Sequence, residues 1–456
     1  MSKTIHSFII IAGTFLLSFV HTASDAEPRT VTLDECINIA LQNNPDIFET
    51  DENRKKSMAD YQTAKAQRGL RVDGQFQTIE RMRSDSPSDP AARIPGKDTD
   101  IGLFAGLYSH YYLFDAKRKK NEEAARINIT LTKIEAEKVK EDVIHEVKKT
   151  YYECLMANDI MSIRAKLLEN AKDKQRIANT MYNAGLQPAT DLTQVNVSYS
   201  QAMLDFEKSK NSSKTYLASL YIAMGLRDAP DIVLADIEKE NLPVIKYSSE
   251  ELSKLALLYN PELRIISEKK KISKLQIEIA QTARKPSVLI GMGLGIENKA
   301  LYIFNDDRGT FTDNFSGKNW GPVFTANVTA SIPVYYGGAI IASINSAVID
   351  YNRFTYQERS AQIKIKSNIE RQYESMDEIK KQIQIAKMII ENSEKHALLA
   401  RKNYENGVAS LMDLQVAEGG VISARIEYLN CIYQYYMSLA SISHTLGMSE
   451  DNICQK

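Results

Sequence analysis

The feature that most constrains this chain is a run of 66 residues, Ala116 to Met181, without one proline or glycine. Apolar residues return along it in steps of mostly three to five: Ile127, Leu131, Ile134, Val139, Val143, Val147, Tyr151, Leu155, Ile160, Ile163 and Leu167. That spacing predicts one helix, and at 1.5 Å per residue it makes a rod of about 100 Å. Helices of compact domains average about three turns, so this rod needs partner helices to bury its seam. On this feature alone, a soluble coiled coil is an adequate reading.

Charged residues make up 25% of the chain with a net charge of −1, and the mean hydropathy is −0.32. This excludes a bundle of transmembrane helices, and nothing resembles a nucleic-acid footprint. The long apolar run is Phe8–Val20, preceded by Lys3 and followed by the small residues Ser24 and Ala26. It predicts a signal peptide over residues 1–26, with cleavage after Ala23 as the alternative; the run is short for a membrane anchor. Cys36, Cys154, Cys431 and Cys454 are too few and scattered for a disulfide framework, and read as core filler.

The chain is a tandem duplication. Thr32-Leu33-Asp34-Glu35, leading to Ala40-Leu41 and Asn44-Pro45, is echoed by Ser248-Ser249-Glu250-Glu251, leading to Ala256-Leu257 and Asn260-Pro261, an offset of 261 − 45 = 216. Thr32 with Glu35 and Ser248 with Glu251 read as capping boxes. Later landmarks repeat at 336 − 114 = 222: Phe114 with Tyr336, Tyr182 with Tyr404, Gly185 with Gly407, Asp191 with Asp413, and Gly225 with Gly447. The first repeat is expected over 27–247, with a β-hairpin at about 70–114, a long helix at 116–181 and a return helix at 189–226. The second is expected over 248–456, with a hairpin at about 287–336, a long helix at 339–404 and a return helix at 411–447.

Within the second hairpin, Val288, Ile290, Met292, Leu294 and Ile296 alternate with Leu289, Gly291, Gly293 and Gly295. Phe324, Ala326, Val328, Ala330, Ile332 and Val334 alternate with Thr325, Asn327, Thr329 and Ser331. This suits membrane strands with an apolar face to lipid and a small or polar face to a lumen. Tyr108, Tyr111, Tyr112, Phe114, Trp320, Phe324, Tyr335 and Tyr336 are expected as an interfacial girdle. Four strands cannot close a barrel, since about eight is the observed minimum, and an open edge in lipid strands its backbone groups. A spanning sheet must therefore be shared between chains.

With these features the chain resembles the TolC-type outer-membrane efflux proteins. The resemblance rests on Leu33-Asp34-Glu35, Ala40-Leu41 and Asn44-Pro45, with the echo near Pro261. It rests also on the strand exits Leu113-Phe114-Asp115 and Val334-Tyr335-Tyr336-Gly337-Gly338, and on two turns, Tyr182-Asn183-Ala184-Gly185-Leu186 to Asp191 and Tyr404-Glu405-Asn406-Gly407-Val408 to Asp413. It implies a mixed, mainly α membrane protein: a homotrimer whose 12-stranded β-barrel, four strands per chain, continues as a long periplasmic α-helical barrel. Such a channel sits in outer-membrane lipid. It serves as the passive exit duct of a tripartite efflux pump or type I secretion system, docking a periplasmic adaptor and an inner-membrane pump or ABC exporter at its helical tip. The resemblance also implies that Asp413 rings the closed entrance. Gly185 and Gly407 read independently as left-handed helix ends, and Asp191 and Asp413 as complements to helix dipoles. Ala409 and Val416 stand where an Arg and a second Asp can belong, which leaves Tyr404, Leu411 and Met412 to close the entrance. The rival is an exported soluble coiled-coil adaptor or scaffold without a pore.

No catalytic, cofactor or metal residues are expected. His110, His145, His396 and His444 show no ligand spacing. Gly291-Met-Gly-Leu-Gly295 lies in an alternating strand, not in a phosphate loop.

Overall fold

The computed structural model describes residues 29–82, 99–227, 232–301 and 320–455. The expected signal peptide and the loop centres of both hairpins lie outside them. Each repeat opens with two helices, α1 (Leu33–Asn43) and α2 (Pro45–Ala66), or α5 (Ser249–Tyr259) and α6 (Pro261–Thr282). Both capping boxes form: the Thr32 and Ser248 hydroxyls accept from the Glu35 and Glu251 amides, whose carboxylates accept in return.

The asparagine of each Asn-Pro pair then ties the repeat together. Asn44 accepts from the Asp46 amide at 2.9 Å, and its Nδ2 donates to the Ala223 carbonyl at 3.0 Å. Asn260 accepts from Leu263 at 3.1 Å and donates to the Thr445 carbonyl at 2.8 Å. The glycines just past those return helices sit at φ +72° (Gly225) and +69° (Gly447). A Cβ on Gly225 would lie 2.7 Å from the Asn43 carbonyl oxygen. The motif thus clamps where the return helix ends against where the repeat begins.

Strands β2 (Arg71–Met82), β3 (Thr99–Phe114), β6 (Ser287–Leu301) and β7 (Trp320–Ser331) make one antiparallel sheet in the order β2-β3-β6-β7. The two hairpins are joined through β3 and β6, with Tyr108 opposite Gly293 and His110 opposite Gly291. The outer edges of β2 and β7 have no partner strand among the described residues. One face carries Val72, Phe76, Leu107, Met292, Leu294, Phe324 and Val328, all exposed. The other carries Arg71, Asp73, Gln75, Gly291, Gly293, Thr325 and Asn327.

Two expectations for the strands need correction. Strand β7 stops at Ser331, so Ile332, Val334, Tyr335 and Tyr336 lie outside it, and Val334 is 92% exposed. Pro333 has no amide hydrogen to give, and the outer edge there has no partner strand among the described residues. Tyr108 and Tyr112 do not join an aromatic belt. Tyr108 lies mid-sheet over Gly291 and Gly293 and donates to Asn327 Oδ1 at 2.9 Å, while Tyr112 lies under the Arg118 guanidinium at 3.8 Å.

Below the sheet run the two long hairpins: α3 (Ala116–Asn183, 68 residues) with α4 (Ala189–Ala223), and α7 (Ala339–Glu405, 67 residues) with α8 (Leu411–Leu446). The return helices end at 223 and 446, slightly short of expectation, because Gly225 and Gly447 stop them. Leu131, Ile134, Val143, Val147, Tyr151 and Leu155 of the sequence stripe are buried. Helix α3 packs on α2, α4, α6 and α8, and α7 packs on α5, α6 and α8. No helix among the described residues is long and apolar enough to cross a membrane.

A collar near the middle was not expected from the sequence. Strands β1 (Arg29–Val31) and β4 (Ile232–Leu234) pair in parallel; β5 (Val244–Ile245) pairs with β8 (Cys454–Gln455), after the short helix α9 (Glu450–Ile453). Tyrosine hydroxyls strap the connecting segment to the rods: Tyr151 to the Ala235 carbonyl, Tyr435 to Pro243 and Tyr436 to Glu238, each at 2.6 Å. Cys36 and Cys154 are buried there, and burial pushes their thiols up to about 12 and about 11, so they behave as small apolar side chains.

Candidate functional site

The expected site residues fall into two groups at opposite ends of the helical rods. At the tip, α3 and α7 end in the same way. Gly185 and Gly407 adopt φ +71° and +72°. Their amides donate to the Tyr182 and Tyr404 carbonyls, both at 3.0 Å, and the next amides, of Leu186 and Val408, donate to Met181 (2.9 Å) and Asn403 (2.8 Å). These paired bonds define the Schellman motif, which a left-handed glycine permits without strain. The turn throws its next side chain outward: Leu186 is 75% and Val408 79% exposed. Each tip is therefore a rigid reversal with one apolar residue at its apex.

The starts of the return helices differ. In the second repeat Ser410 and Asp413 form a capping box: Asp413 Oδ2 accepts from the Ser410 amide (3.0 Å) and hydroxyl (2.7 Å). Those bonds hold the Asp413 carboxyl below its ordinary pKa. In the first repeat Pro188 occupies the cap and offers no side-chain bond, and Asp191 lies in the first turn, its amide bonded to the Pro188 carbonyl at 3.2 Å. Within one chain Asp413 thus acts as a helix cap, with its carboxylate exposed to solvent.

Of the residues expected to narrow the entrance, Tyr404 packs inside its own hairpin against Ala400, Leu414 and Ala417. Leu411, the first residue of α8, is half-buried, and Met412 is exposed, its Sδ 3.9 Å from Gln194 Nε2 on α4; Val416, where a second Asp can belong, is exposed as well. The bond sequence reasoning missed is an ionic one. Glu418 on α8 accepts from Lys174 of α3 and, at 3.1 Å, from Arg401 of α7, so one carboxylate couples both hairpins just above the tips. Pattern alone could not find it, because Lys174 lies far in the sequence from Arg401 and Glu418, and the three sit on three different helices.

At the other end, the sheet passes into the rods through two unlike junctions. Phe114 ends β3, half-exposed. Asp115 caps α3 by accepting from the Lys117 amide at 2.9 Å, and it pairs with Arg118 at 3.0 Å. In the second repeat, Tyr336 is exposed and Gly337 and Gly338 take φ +57° and +82°, with Gly338 capping α7 by backbone alone. The glycine pair is required by conformation, since a Cβ on either would meet nothing within 4 Å.

Among the described residues no three His, Cys, Asp or Glu side chains gather as a metal site. What the arrangement offers is mechanical: two stiff reversals, coupled by one carboxylate, at the far end of rods that grow from a sheet with open edges.

A family model described as outer membrane efflux protein matches residues 36–226 and 252–448, one segment in each repeat. The outer membrane protein TolC of Escherichia coli K12 is 20% identical over 302 residues, which cover 65% of this chain and 59% of that relative, under two thirds of its length. Three solved channels share the fold at low identity. The Campylobacter jejuni CmeC outer membrane channel is 19% identical with a TM-score of 0.76, covering 91% of this chain and 85% of its own. CusC is 17% identical with a TM-score of 0.73, covering 94% and 96%. The open state of the Neisseria gonorrhoeae MtrE channel is 18% identical with a TM-score of 0.71, covering 93% and 91%.

Proposed function

This chain belongs to the outer membrane efflux protein family, and on that footing we propose that three copies form an outer-membrane exit duct for efflux or type I secretion. The observation that carries the reading is the open four-stranded sheet. Its apolar face is exposed and neither edge has a partner strand among the described residues, a combination unfavourable in water and intolerable in lipid unless neighbouring copies close the ring. Four strands from each of three chains give the twelve that the family resemblance implies. The rods, about 100 Å long, then extend the lumen away from the membrane.

Transport is passive in this account, driven by an inner-membrane pump or ABC exporter. A periplasmic adaptor docks on the helical tips, where Leu186 and Val408 project. The duct opens when the tip hairpins splay, which requires the Lys174–Glu418–Arg401 coupling to be released or carried along as a unit.

Disulfide trapping tests the shared sheet. In a lone chain β2 and β7 are separated by two intervening strands, about 14 Å across at the usual strand spacing, while a disulfide needs Cα atoms within about 7 Å. Cysteines at Gln77 and at Thr329 or Ser331, which lie on the same sheet face, can therefore link only between copies. Oxidation in membranes should give a covalent ladder that stops at three chains. A chain that stays single and fractionates as a soluble periplasmic protein would instead support the poreless scaffold.

A further inference from the structure

The two strand-to-helix junctions are repeats of one another in sequence position but not in chemistry. Lys117-Arg118-Lys119-Lys120 in the first corresponds, at the offset of 222, to Ala339-Ile340-Ile341-Ala342 in the second, and no lysine or arginine occurs from Ile332 to Asp350. The first junction therefore carries a run of cations that the second lacks.

Around the first junction lies a cleft of about 970 Å³ between the end of β3, the start of α3 and the ends of α2 and α6. Its three carboxylates are all engaged: Asp115 with Arg118 at 3.0 Å, Glu122 with Arg68, and Glu278 with Lys120 at 2.8 Å. Three ammonium groups remain: Lys65 near the end of α2, Lys119 in the first turns of α3, and Lys285 in the turn that follows α6. All are exposed, and none has an ion-pair partner among the described residues. Directly above them, at the foot of the apolar sheet face, Tyr111, Leu113 and Phe114 are 41%, 58% and 47% exposed.

We propose that this cleft is a binding site for the phosphate of an anionic phospholipid headgroup, held by Lys65, Lys119 and Lys285 with an acyl chain against Tyr111, Leu113 and Phe114. The proposal rests on the outer-membrane reading above. Long lysine stems let ammonium groups reach headgroup level while their methylenes cover apolar surface. Cations beside a membrane surface attract anionic lipid, each with a modest contribution. A free phosphate would use the cations but not the apolar wall above them; a lipid uses both. One such site per chain would place three lipids around the channel at the level where barrel becomes tube, anchoring the first junction while the uncharged Gly337-Gly338 junction remains free to flex.

Native mass spectrometry of the full detergent-extracted channel tests this, titrating phosphatidylglycerol, phosphatidylcholine and inorganic phosphate in turn. The wild type should retain phosphatidylglycerol in preference to phosphatidylcholine. The variant Lys65→Gln/Lys119→Gln/Lys285→Gln should bind it about a hundredfold more weakly, and the corresponding lysine-to-arginine variant should restore binding. Neutralising Lys380, Lys387 and Lys395, exposed on α7 far from the sheet, should change nothing. Equal retention by the triple glutamine variant, or inorganic phosphate binding as tightly as the lipid, would overturn the site. The same spectra report chain number: a three-chain species without lipid preference refutes the site alone, whereas a single chain refutes the channel reading and the site with it.

Discussion

At the residue scale, the Asn-Pro clamp does more than cap a helix. Asn44 satisfies an amide at the start of α2 and the Ala223 carbonyl at the end of α4 with one side chain. Asn44→Ala removes both bonds and strands a buried carbonyl, so it should cost about 2 kcal/mol, read as a lower thermal midpoint of the helical signal. Gly225→Ala should cost more, because the new Cβ would meet backbone at 2.7 Å at a φ of +72°. A second residue-scale feature is a stacked pair, His145 on α3 and His444 on α8, with ring centroids 4.6 Å apart. His444 Nε2 lies 2.7 Å from Asp142 Oδ1, while His145 Nδ1 is buried without a partner. Burial and then the neighbouring His444 lower the pKa of His145, against a smaller opposing effect of Glu146. A lowered pKa means the unfolded chain takes up the proton first, so the stability is complete above about pH 6.5 and drains away as pH falls. The thermal midpoint should therefore drop between about pH 7.5 and about pH 5.5, and His145→Leu should flatten that dependence.

At the element scale, each hairpin depends on a single left-handed glycine. Gly407→Pro removes the amide that bonds to Tyr404 and imposes a negative φ where the chain needs +72°. It should abolish export or adaptor docking while the barrel still inserts, as measured by outer-membrane fractionation alongside a substrate-efflux assay. Failure to insert would place the defect in folding instead. The long helices and this turn were legible in the sequence, because an unbroken period near 3.6 and a glycine at its end are local signals. The foot of β7 was not. Alternation continues through Ile332 and Val334, yet a strand exists only where a neighbour pairs with it: β6 begins at Ser287, opposite Ser331, and the open edge of β7 has no partner among the described residues. Nor could one strand's pattern show Tyr108 lying over Gly291 and Gly293, since that depends on the register between repeats. The collar strands, two or three residues each, carry no period to read.

On the scale of the whole molecule, the duplication makes the protomer an incomplete ring. The seam between repeats, β3 on β6 and α3 on α6, occurs once inside the chain, with Leu131 and Ile134 buried against Ile265 and Arg264 pairing with Glu137 at 3.2 Å. In a closed tube it must recur between chains, formed there by β7 and α7 of one copy and β2 and α2 of the next. The outward faces await it: Ile349, Tyr356 and Ile363 on α7 and Phe48 on α2 are all exposed in the single chain. A cryo-electron microscopy map of the protein extracted from outer membranes tests this closure most directly. The expected result is a threefold particle in which β7 of each chain pairs with β2 of the next to complete twelve strands. A particle in which each chain's sheet keeps its edges free, or folds onto itself away from lipid, would contradict it.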